Sequence, residues 1–482
     1  IQADDASTLD WLIGHAQERQ RVDEALAWVK QKQRLWPSNV SAILTEAEIL
    51  FAANRHAATL AALARAQAIA PGLWKIHKLR GDTLYRQNAR EAALQAYEQT
   101  LACRPDYPDL REYLDFLQQR KDLVFDRFAL SESEVQQILD HPPAEKAHAD
   151  ADAIFLLDDH ITHVFADGSA KHLVHQIYFI RSAQGQRQLS QFRVPASSSF
   201  KLLIAETVQP DGSRQEATSI RKGAIHMPNL QPGSILNVAY RYESSSSSWM
   251  EDHFAMSFNF QGAYPGMRAR WVVVLPKDKT VRYHIRGEGV QHRQEALGDE
   301  AAHVFTAKDM SMIHREAWRP PLRDIQAAVF LSTVPDWAAL ARWQNSLIQD
   351  QFDIDDDIRK TTHALVKGAT SKAEKLDAIY RFVARDIRYV DNDVGIMGKK
   401  PNKAVNIFEN RFGDCKDKAT LMIAMLRELG IEAHYAAVRT RNQGRVIWKV
   451  PFAQSNHIIT YIPKQDGLDK DWFVDGTSQF SA

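Results

Sequence analysis

The chain has 482 residues, too many for one hydrophobic core, so roughly two to four domains are expected. Its 60 basic and 60 acidic side chains balance, which excludes a nucleic-acid binder that works through net charge. No run of about 18 apolar residues occurs, so no segment reads as a membrane-spanning helix. The two cysteines, Cys103 and Cys415, lie in unrelated regions and imply no disulfide framework. The first residue is Ile1, which reads as a processed or cut chain from which a signal peptide could have been removed.

Residues 1–127 carry a repeat. Pro37, Pro71 and Pro105 are each 34 residues apart, and each closes an apolar helical stretch. In the last unit Gly81, Ala93, Tyr97 and Pro105 supply small, small, aromatic and proline residues, and Ala25 matches Ala93 in the first unit. The middle unit departs, with Thr59 at that place and no matching glycine. Two helices per 34 residues resembles the tetratricopeptide repeat, whose stacks take about three units to be stable and dock peptide or protein partners. Cys103 ends a repeat helix with no basic cluster near it, so packing is its expected role.

Residues 128–150 read as a polar linker, His141 to Ala151 being its clearest part. From 151 to 332 the texture is short β-branched and aromatic runs broken by Asp167-Gly168, Pro210-Asp211-Gly212 and Pro232-Gly233. Leu236, Val238, Tyr240 and Tyr242 alternate with Asn237, Ala239 and Arg241, which predicts a strand with one buried face. An antiparallel β-sandwich-like domain is expected. His160, His163, His172 and His175 match no closed zinc spacing, so no metal is expected, and Ser244 to Ser248 reads as a loop.

From 333 onward the pattern turns helical. Ser371-Lys372-Ala373-Glu374 is a capping box that opens a helix through Leu376, Ile379, Phe382 and Val383. Gly413-Asp414 forms a turn, and the apolar periodicity from Lys416 places Cys415 in the first turn of a helix closed by Gly430. There the dipole and the free N–H groups favour thiolate over thiol. Asn456-His457-Ile458 and Trp472-Phe473-Val474-Asp475 read as strands. Cysteine, histidine and aspartate supply a nucleophile, a base and an orienting group.

Ile387-Arg388-Tyr389, then Arg411-Phe412-Gly413-Asp414-Cys415-Lys416-Asp417-Lys418-Ala419, Asn456-His457 and Asp475-Gly476-Thr477 resemble the bacterial transglutaminase-like superfamily. The branch it resembles has a DUF3857 β domain ahead of the core, and Pro320-Pro321-Leu322, Leu331-Ser332-Thr333 and Trp337 resemble that junction. The resemblance covers about residues 150 to 482. It implies a papain-like α+β core over 333–482, with Cys415 as nucleophile, His457 as base and Asp475 as orienter. The fold class is therefore multidomain α+β: tetratricopeptide-like helices, a β-sandwich-like domain and the transglutaminase-like core.

Gly476 departs from the proline that many members carry there, which would loosen the turn. The chain stops seven residues after Asp475 where relatives continue into β structure, so the core is expected to be cut short. His434 is the rival base, better explained by strand packing. Asp414 and Asp417 are expected to cap the helix, and Lys416 and Lys418 to be solvated or to help hold the thiolate. The Cys415 N–H is one expected oxyanion donor, with Tyr389 as candidate partner. No cofactor is implied. Water as acceptor gives a peptidase or amidase, and an amine gives a crosslinker; an inactive binding module is the rival reading. The layout points to the bacterial envelope or periplasm by analogy, with the cytoplasm as alternative.

Overall fold

The computed structural model describes residues 5–104, 107–118, 123–143, 148–194, 200–217, 220–221, 224–244, 250, 252–391 and 398–478. The chain divides into two compact units, residues 1–126 and 127–482.

The first unit contains three helix pairs: Ala6–Glu18 with Val22–Leu35, Val40–Ala52 with His56–Ile69, and Trp74–Arg86 with Arg90–Cys103. Helix starts at 6, 40 and 74, and at 22, 56 and 90, keep the 34-residue period. The residue before each proline leaves the helical region: φ and ψ are −133° and 77° at Trp36, −135° and 73° at Ala70, and −143° and 83° at Arg104. A following proline ring disfavours the α region, and leaving it stops each second helix. Pro105 itself lies outside the described residues. Between the paired helices Gln20, Asn54 and Asn88 adopt positive φ of 58°, 57° and 60°, again 34 residues apart. Asparagine tolerates this left-handed region better than most side chains.

The small residues do what their spacing predicted. A Cβ on Gly81 would lie 2.5 Å from the Tyr97 ring. Ala25, Ala47 and Ala93 are fully buried. Thr59, the exception in the middle unit, is also buried and donates its hydroxyl to Arg55 O at 3.1 Å, so no polar group is stranded. Cys103 differs from expectation: it is exposed rather than packed, because it ends its helix on the solvent side.

In the second unit an eight-stranded sheet runs in the order Gln291–Leu297, Glu300–Met310, Gly266–Pro276, Ala153–Val164, Ala170–Ile180, Ile235–Ser244, Phe200–Val208, Arg214–Glu216. All neighbours are antiparallel except Ala153–Val164 with Gly266–Pro276, which are parallel. The purely antiparallel expectation fails at that one pairing because these strands, about a hundred residues apart, are joined by a long crossover rather than a hairpin. A three-stranded sheet (Arg282–Arg286, Ala328–Ser332, Ala255–Asn259) packs Phe258, Val329 and Leu331 against Trp271, Val273 and Phe305 of the large sheet. This is the expected sandwich.

Ile235–Ser244 is buried on both faces at its start, not on one: Asn237 and Ala239 are as buried as Leu236 and Val238. The cause is the helix Glu132–Leu139, inside the segment expected to be linker. It packs Ile138 and Leu139 on Ile154, Leu156, Ile177 and Ile235. Its capping box, Ser131 with Glu134, is the S-x-x-E signature. Buried Asn237 donates to Glu206 at 2.7 Å and meets His175 at 2.8 Å. The other three histidines pair separately: His160 with Asp158, His163 with Glu300, and His172 with Thr162 and Ser244. Among the described residues no three ligand-type side chains gather as a metal site. Of the expected loop at 244–248, residues 245–248 lie outside the described residues.

The core packs helices Asp356–Leu365, Lys372–Asp386, Ala404–Asn410 and Cys415–Glu428 against an antiparallel sheet of His434–Val438, His457–Ile462 and Trp472–Val474. A loop over 439–454 reaches from this core back to the β domain. There Phe330 of the strand Ala328–Ser332 packs with Ile447 and Val450. Arg323 donates to Gln454 Oε1 at 3.0 Å, Arg445 N–H to Asp324 at 2.7 Å, and Trp337 Nε1 to Trp448 O at 2.9 Å.

Candidate active site

The cysteine helix begins where the sequence predicted, and its start is held from several sides. Asp414 is the N-cap, accepting from the N–H groups of Lys416 at 3.1 Å and Asp417 at 3.3 Å. Asp417 returns the bond to Asp414 N–H at 3.2 Å and also accepts from Asn402 N–H at 2.8 Å. Cysteine is thereby locked as the first helical residue. Gly413 is required by contact: a Cβ there would lie 2.5 Å from Asp417 Cβ. From the far side Tyr435 donates its hydroxyl to Lys416 O at 2.9 Å. Burial is the main force raising the Asp414 carboxyl, with the charge of Asp417 adding to it and Lys416 opposing it.

The lysines are not solvated. Lys416 is buried in an ion pair with Asp414. Lys418 is fully buried and donates to Ile387 O at 2.7 Å and Ala384 O at 3.3 Å, the carbonyls that end the helix Lys372–Asp386. Both are drawn inward because a capping carboxylate and unpaired helix-end carbonyls offer the partners a buried ammonium needs. Burial lowers the Lys418 pKa to about 8, with the charge of Asp475 opposing that shift.

His457 opens its strand opposite Val438. Its Nε2 lies 2.9 Å from Asp475 Oδ2. Hydrogen bonding to Asp475, then to Cys415, raises its pKa to about 10 against the opposing effect of burial. Asp475 follows the strand Trp472–Val474, and its other oxygen accepts from Thr477 N–H at 3.0 Å and Thr477 Oγ1 at 2.7 Å. Burial alone would raise this carboxyl; the bonds from His457 and Thr477 win and hold it at about 2. The turn after Asp475 is thus closed by Thr477, so Gly476 does not loosen it on that account. A Cβ on Gly476 would lie 2.9 Å from Met422 Cε.

His434 is exposed, bound to Glu432 at 2.8 Å, and pairs with Tyr461 at the opposite end of the strands from His457. Tyr389 lies on the two-residue strand Arg388–Tyr389, paired with Gly413 two residues before Cys415, and is exposed. Thr477, Asn402 and Tyr435 were missed in the sequence. Asp-x-Thr is a recognisable side-chain turn that would have found Thr477; Asn402 and Tyr435 carry no local signal.

The transglutaminase-like superfamily model matches residues 359–467, which include Cys415 and His457 and end before Asp475. The DUF3857 model matches residues 166–313. The chain carries a transglutaminase-like domain behind a DUF3857 domain. A crystal structure of a candidate protease from Parabacteroides distasonis is similar at 14% identity and TM-score 0.54, covering 67% of each chain. The transglutaminase-like core therefore shares the fold of cysteine-protease-like proteins. The helical repeats are similar to the first TPR domain of human RPAP3 (20% identity, TM-score 0.22, 24% of this chain and 90% of that one). A second solved structure, the first TPR of Spaghetti bound to an HSP90 peptide, is similar at 19% identity and TM-score 0.23, over 25% of this chain and 94% of that one. No curated protein matches. Among the described residues no helix is long and apolar enough to cross a membrane.

Proposed function

We propose that the transglutaminase-like domain is a cysteine acyl-transfer enzyme acting on amide or other acyl groups. The observation that carries this is the His457–Asp475 pair, Nε2 to Oδ2 at 2.9 Å, in which Asp475 first and Cys415 second raise the His457 pKa to about 10. An imidazolium at neutral pH is the partner a thiolate needs. The sulfur attacks the acyl carbon and forms a C–S bond. The carbonyl electron pair moves to oxygen and is held by the Cys415 N–H, with Tyr389 as the second donor. As the C–N bond breaks, His457 gives its proton to the leaving nitrogen, which departs as amine or ammonia. Water or a second amine then attacks the thioester, losing its proton to His457 as sulfur leaves. Asp475 keeps the ring oriented through both halves.

The repeats supply a docking surface for a peptide or protein partner, a reading that rests on their 34-residue helical spacing. The domain layout points to the bacterial envelope or periplasm, which fractionation of the host cell would check.

Alkylation by a fluorophore-tagged iodoacetamide tests the core of this reading. Cys103 is exposed, so the measurement belongs in a Cys103→Ser background. At about pH 6, where ordinary thiols are largely protonated, Cys415 is expected to label at least about ten-fold faster than in the His457→Ala variant. Equal rates would replace the enzyme reading with a binding module.

A further inference from the structure

A cleft of about 1510 Å³ lies between the DUF3857 domain and the transglutaminase-like core, within the single compact unit 127–482. One wall is the segment Trp318–Asp324 that joins the two domains, and the other is the end of the strand His434–Val438 with the loop after it. Five arginines line it (Arg319, Arg323, Arg439, Arg441, Arg445) against one carboxylate, Asp324. A chain with equal numbers of acidic and basic residues has concentrated positive charge at one place.

That concentration is not neutralised from within. Arg323 is wedged against the rings of Phe330 at 4.8 Å and Phe452 at 5.7 Å, and its buried Nε has no hydrogen-bond partner among the described residues. Burial, then the charges of Arg439 and Arg286, lowers its pKa to about 10, and only Asp324 opposes them. Asp324 is itself engaged by Arg445 N–H at 2.7 Å. The guanidinium groups of Arg441 and Arg445 are exposed and make no hydrogen bond or ion pair among the described residues. Like charges held together against burial and mutual repulsion cost stability, and an arriving anion relieves that cost.

Two features select a polypeptide rather than a bare anion. The strand His434–Val438 has a strand partner on one side only among the described residues, and its Ala437 and Val438 line the cleft. An edge strand offers alternate N–H and C=O groups to an extended chain. The rim also carries Trp318 and Trp448, exposed by 102% and 73%, which give apolar contact beside the charge. The cleft wall is one strand away from the candidate chemistry: Val438, which lines it, pairs with His457 on the neighbouring strand.

We propose that this cleft binds an extended acidic polypeptide segment, rich in aspartate or glutamate, and presents it toward Cys415. The binding claim stands on the cleft alone; that the bound segment is substrate rests on the acyl-transfer reading.

The probe is fluorescein-labelled hexaglutamate, read by anisotropy on the full chain carrying Cys415→Ala, so that binding is measured without chemistry. It is expected to bind at about 50 mM salt, to weaken several-fold at about 300 mM, and to be displaced by unlabelled hexaglutamate but not by hexaglutamine. The double variant Arg441→Gln/Arg445→Gln leaves no buried partner unpaired and is expected to bind about ten-fold more weakly. Unchanged affinity in that variant, or no binding at low salt, would overturn the proposal. So would displacement by tripolyphosphate as effective, charge for charge, as by hexaglutamate, which would mark a phosphate site instead. Because Cys415 is absent from the measurement, failure of the alkylation test leaves this result standing, and the reverse also holds.

Discussion

Two histidines on strands of this molecule show opposite answers to burial. His172, in the DUF3857 domain, is stacked on Tyr242 and, among the described residues, bonded only to the hydroxyls of Thr162 and Ser244. Burial drives its pKa down to about 3. His457, in the transglutaminase-like core, has a carboxylate at 2.9 Å and a thiol beside it, and its pKa goes up to about 10. A desolvated imidazole stays neutral where its partners are neutral and is held charged where a carboxylate faces it. The first serves packing, and the second can serve proton transfer.

The largest effect that separates them is the response of stability to acid. His172 stays neutral in the folded state down to about pH 3 while the unfolded chain takes up its proton near 6.5. Stability is therefore lost as pH falls between those values, by roughly 3 kcal/mol between pH 7 and pH 4. The His172→Phe variant is expected to lose that much less over the same interval in urea unfolding. A parallel pH dependence in both proteins would mean that His172 is not held neutral.

For His457 the sign reverses. Its contribution is complete below about 6.5 and disappears as pH rises through about 10. The Asp475→Asn variant removes the carboxylate and should bring the ring back toward ordinary titration, moving it toward the His172 case. Turnover of an acyl substrate is expected to fall about 100-fold, and imidazole NMR titration should show the lowered pKa. An unshifted titration would show that Asp475 does not set the charge of the ring.

A smaller effect tests the frame that holds the core side in place. In Gly413→Ala the new Cβ meets Asp417 at 2.5 Å and disturbs the cap. The expected cost is about 2 kcal/mol in thermal unfolding, with a slower Cys415 alkylation rate. A stability change below about 0.5 kcal/mol would indicate that the backbone yields there at little cost.

What the sequence disclosed and what it hid divide along the same physical line. The repeats were legible because the prolines at 37, 71 and 105 keep a fixed period, and the structure repeats that period in the turns at Gln20, Asn54 and Asn88. The cysteine, histidine and aspartate stood out as a motif, and the structure pairs His457 with Asp475 at 2.9 Å. The expectation that Lys416 and Lys418 are solvated failed because charge alone predicts solvent, while a capping carboxylate and helix-end carbonyls, invisible in a local window, drew them inside. The helix Glu132–Leu139 announced itself by Ser131 and Glu134, yet eight residues of moderate hydrophobicity beside a polar stretch read as linker. The parallel strand pair and the arginine cleft depend on partners about a hundred residues away, which no local pattern records.

The loop over 439–454 has a consequence for where this protein can be cut. Phe330 belongs by sequence to the β domain, but it closes a small apolar cluster with Ile447 and Val450 of the core. Excising the core at residue 333 would leave those two side chains bare, together with a tryptophan at 448 that is already open to water. Such a fragment would be expected to self-associate, whereas a piece beginning at 127 keeps the seam closed. Where the core can be cut without opening this seam is thus set by a phenylalanine outside its own fold.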